Sequence, residues 1–296
     1  MQHALEFWQD AAGFNVLHER QGNDTDLQTL LGLVDGEIKS QAVLATNRSQ
    51  SNALMHLVEF TSPAAAVREG ASPTASCPKN IDIYSNDLVH HYATMEAAGF
   101  PFRMPWQLLQ VDEPSGHIQV KEGHISGPDE TNIGIMELEG VSIPFNDTGL
   151  SGLGPLVTTV SDIAKETTFY RQVLGLDVCL QEELGGPEIE KLIGLPPGKS
   201  LVIHILGDND SRLGRVELIE YQGITSENLY PLARAPATGA LHLSFKVENI
   251  DTVLRNAKDL NTNVADLGKL KTLSHSESAR VHQITSPAGF ILFLFS

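Results

Sequence analysis

Only two cysteines, Cys77 and Cys179, occur in 296 residues, and neither belongs to a CxxC pair. So few leave no disulfide framework, and they fit reduced thiols in a cytoplasmic protein. Basic residues are also scarce: Lys plus Arg total 20 against 37 Asp plus Glu, for a net charge of −17. A chain this acidic repels phosphate backbones, so no nucleic-acid partner is expected. No apolar run reaches the roughly 18 residues of a membrane-spanning helix, which removes the membrane as an expected partner. The opening MQHALEFWQDAAGFNVLHER has no basic segment leading into an apolar one. That argues against a secretory signal and for a cytoplasmic location. A nucleotide loop is missing too: GLPPGKS ends in Gly-Lys-Ser, but Gly194 and Gly198 stand one residue too close together.

What is present is average in composition and repetitive in order. Hydrophobic residues make up 41% and charged residues 19%, the balance of a soluble globular chain. FWQDAAGFNV (Phe7–Val16) matches FYRQVLGLDV (Phe169–Val178), and LLGLVDG (Leu30–Gly36) matches LIGLPPG (Leu192–Gly198). HLVEF (His56–Phe60) matches ELIEY (Glu217–Tyr221), and KNIDIYSNDL (Lys79–Leu88) matches LHLSFKVENI (Leu241–Ile250). Collinear blocks at near-constant offset mark a tandem duplication. The join falls near Gly149–Pro155, giving expected domains 1–148 and 149–296.

Each half divides again. Alternating apolar residues predict strands at 156–160 and 216–221, then at 242–247, 280–284 and 290–295. Helical spacing predicts helices at 162–173 and 249–260, with Asp162 and Asp251 placed as N-cap or first-turn acids. A polar, proline-containing joint, 222–239, separates the two quarters of the second half. The pattern is strand, helix, several strands, written four times.

VSDIAKETTFYRQVLGLDV (Val160–Val178) resembles the opening of a module in the vicinal-oxygen-chelate superfamily. That superfamily includes glyoxalase I, extradiol ring-cleaving dioxygenases and bleomycin-resistance proteins. HLSFKVENID (His242–Asp251) is similar to the start of a second module, and SPAGFILFLF (Ser286–Phe295) to its closing turn and strand. The resemblance implies an α+β fold of four βαβββ modules, paired within each half into two cupped mixed sheets. One departure is the start of the first half, which opens directly on a helix, so the first strand of module 1 is missing. Either this start lies one strand downstream in a longer protein, or the sheet position is filled by other residues or left as an edge that invites another strand. A homodimer is among the expected assemblies.

The same resemblance directs the site. In the superfamily, metal ligands come from the first and last strands of each module and face the concave side. Leu243, Phe245 and Val247 form the helix-facing set, which turns His242 toward the cup; Glu217 shares a face with Ile219 and Tyr221. His242 and Glu217 are therefore the implied catalytic and metal-ligating pair. His56 and Glu137 are secondary candidates in the first half, with Asn80 at the counterpart of His242. Pro155 and Phe293 occupy the two remaining ligand positions and cannot coordinate a cation. A divalent ion (Zn, Ni, Mn or Fe) is the implied cofactor of a glyoxalase-like lyase or isomerase. The two-histidine, one-glutamate set of an extradiol dioxygenase is incomplete. Without an ion, Tyr221, Ile219, Phe293, Ile291 and Phe295 would line an apolar pocket for a small aromatic or lipophilic molecule, as in a non-catalytic, bleomycin-resistance-like binder. Other readings stay open. Glu217 and His242 could form a hydrogen-bonded polar pair, and His56 could be a strand histidine with a satisfied ring. His90 and His91 are expected to face solvent, while His204 and His282 fall on strands that could line the cup.

Overall fold

Short polar side chains start the helices where the sequence places them. Asp162 accepts from Lys165 N–H at 2.9 Å, Asp87 from His90 N–H at 2.9 Å and Asn249 from Thr252 N–H at 3.1 Å, so each caps a first turn. The computed structural model describes residues 1–34, 36–46, 53–113, 116–272 and 278–296; Asp35, inside the repeated block Leu30–Gly36, lies outside them.

Module 1 holds α1 (Gln2–Leu5), which runs on as a π-helical turn, then β1 (Asn15–Gln21), α2 (Thr25–Leu31), β2 (Ile38–Ala45) and β3 (Met55–Phe60). Module 2 holds β4 (Pro78–Ser85), α3 (Leu88–Ala97), β5 (Gln107–Glu113), β6 (Gly116–Ser126) and β7 (Asn132–Leu138). Module 3 holds β8 (Leu150–Thr159), α4 (Ile163–Leu174), β9 (Asp177–Gly185), α5 (Pro187–Ile193), β10 (Ser200–Gly207) and β11 (Val216–Tyr221). Module 4 holds β12 (His242–Lys246), α6 (Ile250–Asp259), β13 (Val264–Leu270), β14 (Ala279–Thr285) and β15 (Ile291–Phe295). The fold is α+β, and among the described residues its first module has three strands where the others have four.

The duplication is visible in backbone detail. Gly32 and Gly194, equivalent in the repeat, both end their helices in the left-handed conformation, at φ 67° and 78°. Each four-stranded module pairs its first strand parallel to its last: β4 with β7, β8 with β11, β12 with β15.

The sheets, however, do not follow the halves. β4 pairs antiparallel with β8, from Pro78 opposite Thr158 to Ser85 opposite Leu150, so modules 2 and 3 build one sheet of order β5-β6-β7-β4-β8-β11-β10-β9. The expected boundary at 148/149 falls inside that sheet. Module 4 forms a separate sheet, β12-β15-β14-β13, and packs against the β1-β2-β3 sheet of module 1 through Leu27, Leu30, Ile38, Val281, Phe293 and Phe295. Pairing within each half is thus corrected for the concave faces. The convex faces do follow the halves: one helix-side core joins modules 1 and 2 around Phe7, Trp8 and Leu88, and another joins modules 3 and 4 around Phe169, Tyr170 and Phe290. Glu166 on α4 locks the second by accepting from Ser286 Oγ at 3.1 Å and from Ala288 N–H.

Both cysteines are free thiols. Among the described residues no helix is long and apolar enough to cross a membrane.

Candidate functional site

The concave face of the eight-stranded sheet lines an open cavity, with about 840 Å³ of empty space that includes solvent at its mouth. Strand alternation builds it. On β4, Ile81 and Ile83 face the helix-side cores, which leaves Asn80, Asp82 and Tyr84 on the cavity side. On β11, Leu218 faces the helices while Glu217 and Ile219 face the cavity. The walls are apolar: β5 and β6 supply Val111 and Val120, β10 supplies Leu201 and Ile203, and α5 leans Ile189 and Leu192 over from module 3.

The floor is charged. Asp82, Glu122 and Glu217 line it together with Lys79, His124 and Arg212. Asn80 Nδ2 donates to Asp82 Oδ1, and Gly134 stands opposite Asp82 on the neighbouring strand. A Cβ at Gly134 would fall on that same oxygen, so the missing side chain makes room for the carboxyl. His124 Nε2 lies 2.9 Å from Glu122 Oε1. Lys79 Nζ donates to Tyr221 Oη and sits 4.9 Å from the centre of the Tyr221 ring. Among the described residues, the Glu217 carboxyl alone of these acids meets no hydrogen-bonding group.

Burial and crowding raise two of these acids, Asp82 and Glu217. Burial raises Asp82 well above the usual carboxylate range, and the charges of Glu217 and Glu122 add to it. Glu217 is pushed up to about 8 by burial first and by Glu122 second, with Lys79 opposing. At neutral pH the unpartnered Glu217 is a neutral acid with a proton to donate.

The sequence-expected pair is not assembled. Glu217 lies on the floor of this cavity, but His242 belongs to the other sheet, its ring 4.8 Å from Phe293 and edge-on to it. Burial, then the neighbouring His56, lowers His242 to about 4, so its ring is neutral. The error came from pairing modules within each half; the sheets pair across halves, and β11 and β12 part company after the joint. Ile219 lines the cavity and Tyr221 flanks it, as expected. Phe293, Ile291 and Phe295 do not. They pack on α2 of module 1, whose Leu27 and Leu30 fill the second cup. The register of β4 with β7 and of β12 with β15 makes Gly134 the counterpart of Phe293, so one cup is open where the other is plugged.

Glu137 is also corrected. Side-chain alternation puts it on the helix side of β7, where it accepts Leu88 N–H at 2.8 Å and Lys121 Nζ at 2.6 Å. His56 is the half-buried strand histidine of the second reading. Its Nε2 lies 2.9 Å from Gln41 Oε1, while Gln41 Nε2 donates to Asp24 at 2.8 Å, which fixes the glutamine oxygen as acceptor and the His56 Nε2 as donor. His91 is buried rather than solvent-facing, between Ser85 Oγ at 2.7 Å and the Thr148 carbonyl at 2.8 Å. His90 is exposed, as expected. His204 meets Thr167 of α4 at 2.7 Å, on the helix side of its strand. His282 is buried opposite Asp266, outside the cavity lining.

The positions that the resemblance marks as chelating hold Asn80, Gly134, Pro155 and Glu217 in the open cup, and His56, His242 and Phe293 in the plugged one. Neither offers three strong donors, and among the described residues no group of three or more His, Cys, Asp or Glu is placed to hold a metal ion. The residues present do not fit a protein-ligated divalent centre.

Asp82, Glu122, His124 and Lys79 are the cavity residues that sequence reasoning missed. The signal was there. In KNIDIY the polar residues 80 and 82 alternate with isoleucines, and in KEGHI Glu122 and His124 share a face.

No family model matches the sequence, and no curated protein matches it. Solved structures do. Glyoxalase I from Zea mays is similar over 100% of this chain and 88% of its own, at 12% identity and a TM-score of 0.62. A mutant form of that enzyme gives 14% identity and a TM-score of 0.66 over 99% of this chain and 88% of its own. What the chain shares with these structures is the glyoxalase I fold.

Proposed function

We propose that the protein holds a small aromatic or lipophilic molecule in the hollow of its eight-stranded sheet, with Glu217 as the polar anchor. One observation carries this reading: a hydrogen-bonding carboxyl without a partner among the described residues lies at the floor of a cavity whose walls are aliphatic. Apolar concavities with a few convergent polar groups are the usual form of small-molecule sites. No step is assigned to a divalent ion, because the donor set does not fit one.

Turnover is the second reading, and the same carboxyl favours it. An acid held near 8 is close to the operating pH of most enzymes, where general acid–base transfer is most effective. Glyoxalase-like isomerase or lyase chemistry would then proceed through proton movement at Glu217.

The neutral dye N-phenyl-1-naphthylamine tests the binding reading. Its fluorescence should rise on addition of the protein, and Ile203→Trp, which fills the cavity from β10, should abolish that rise while leaving the circular dichroism intact. Unchanged dye binding by the folded Ile203→Trp variant would place the ligand elsewhere.

A further inference from the structure

We infer that the ligand of this cavity is an uncharged apolar molecule that presents a hydrogen-bond acceptor, a carbonyl or ether oxygen, to the Glu217 carboxyl. The inference rests on the cavity being the binding site. Three of the floor groups already have partners within the protein: Asp82 has Asn80, Glu122 has His124, and Lys79 has Tyr221. Among the described residues Glu217 has none, so a ligand's polar atom finds its unused hydrogen-bonding capacity there.

Charge decides what that atom is. Lys79 and Asp82 on β4, Glu122 and His124 on β6 and Arg212 before β11 line the cavity with Glu217, and Glu122 and Lys79 act on its charge. A cationic ligand would need Glu217 to ionise next to Glu122, and would itself lie near Lys79 and Arg212. An anionic ligand would be buried beside Glu122, while Lys79 already donates to Tyr221 and Arg212 already has a partner in the protein. Burying an incompletely paired charge costs more than burying a neutral oxygen that receives one hydrogen bond. A neutral acceptor avoids both penalties. Burial and the Glu122 charge keep Glu217 protonated to about 8, so it donates at neutral pH.

Four naphthalenes of one shape test this by calorimetry: 2-acetylnaphthalene, 2-ethylnaphthalene, 2-naphthylmethylammonium and 2-naphthoate. At about pH 6.5 the ketone should bind about tenfold tighter than the hydrocarbon, the worth of one hydrogen bond to a buried donor. That advantage should vanish by about pH 9.5, where Glu217 is ionised. In Glu217→Gln the amide still donates, so the advantage should persist at both pH values. In Glu217→Leu it should be absent at both. Tighter binding of the ammonium or the carboxylate, or a ketone advantage that survives Glu217→Leu, overturns the ligand class and leaves the cavity standing. If none of the four binds, the cavity reading itself fails, and the ligand class with it.

Discussion

Glycine 134 and phenylalanine 293 occupy equivalent places on the last strands of modules 2 and 4, each opposite a first strand that runs parallel to it. Phe293 is 1% exposed and fills its cup; Gly134 leaves room for the Asp82 carboxyl. At this position the closed core carries a phenyl ring and the open cup carries no side chain. Gly134→Ala forces its Cβ onto Asp82 Oδ1 in a buried site, so it should cost about 1–3 kcal/mol in denaturant unfolding and weaken ligand binding. Phe293→Ala should cost more, about 3–5 kcal/mol, by opening a void in a packed core, yet leave ligand affinity unchanged. Loss of binding in the phenylalanine variant, or none in the alanine variant, would reverse which cup is functional.

Among the elements, the last strand and first helix of modules 1, 2 and 3 are tied by the same device. Glu137 on β7 accepts the first N–H of α3, Glu220 on β11 accepts that of α4, both at 2.8 Å, and Glu59 on β3 lies 3.7 Å from the Met1 ammonium. A carboxylate at a helix N-terminus satisfies a free donor and opposes the helix dipole. Glu137→Ala should therefore lower stability by about 1 kcal/mol and speed amide exchange in the first turn of α3, with ligand binding untouched. A loss of binding instead would return Glu137 to the site. Helices and strand faces were legible in the sequence because periodicity encodes them: Asp162 caps α4, and Leu243, Phe245 and Val247 pack on the helix side. Which sheet joins which was not, because alternation specifies a face and never the partner of an edge. The clue was connection length: 139–149, between modules 2 and 3, is shorter than 61–77 or 222–241, and short connections join neighbours. Missing that clue paired Glu217 with His242 and hid Asp82 and Glu122.

At the scale of the whole molecule, two pseudo-equivalent cups hang on two helix-side cores. Each cup is crossed by a short helix from one module, α2 in one and α5 in the other. Leu27 and Leu30 of α2 complete the closed core, while Ile189 and Leu192 of α5 become a wall of the open cavity. Likeness to glyoxalase I extends over the full chain but carries the fold alone, since this architecture hosts many chemistries. Function therefore has to be read from the floor of the open cup. The most direct measurement is a set of intermolecular nuclear Overhauser contacts from bound 2-acetylnaphthalene to methyl-labelled protein. Contacts to Val111, Val157, Ile189 and Ile203 are expected. Contacts to Leu27, Val58 or Ile291 of the plugged cup, or to neither set, would contradict the assignment.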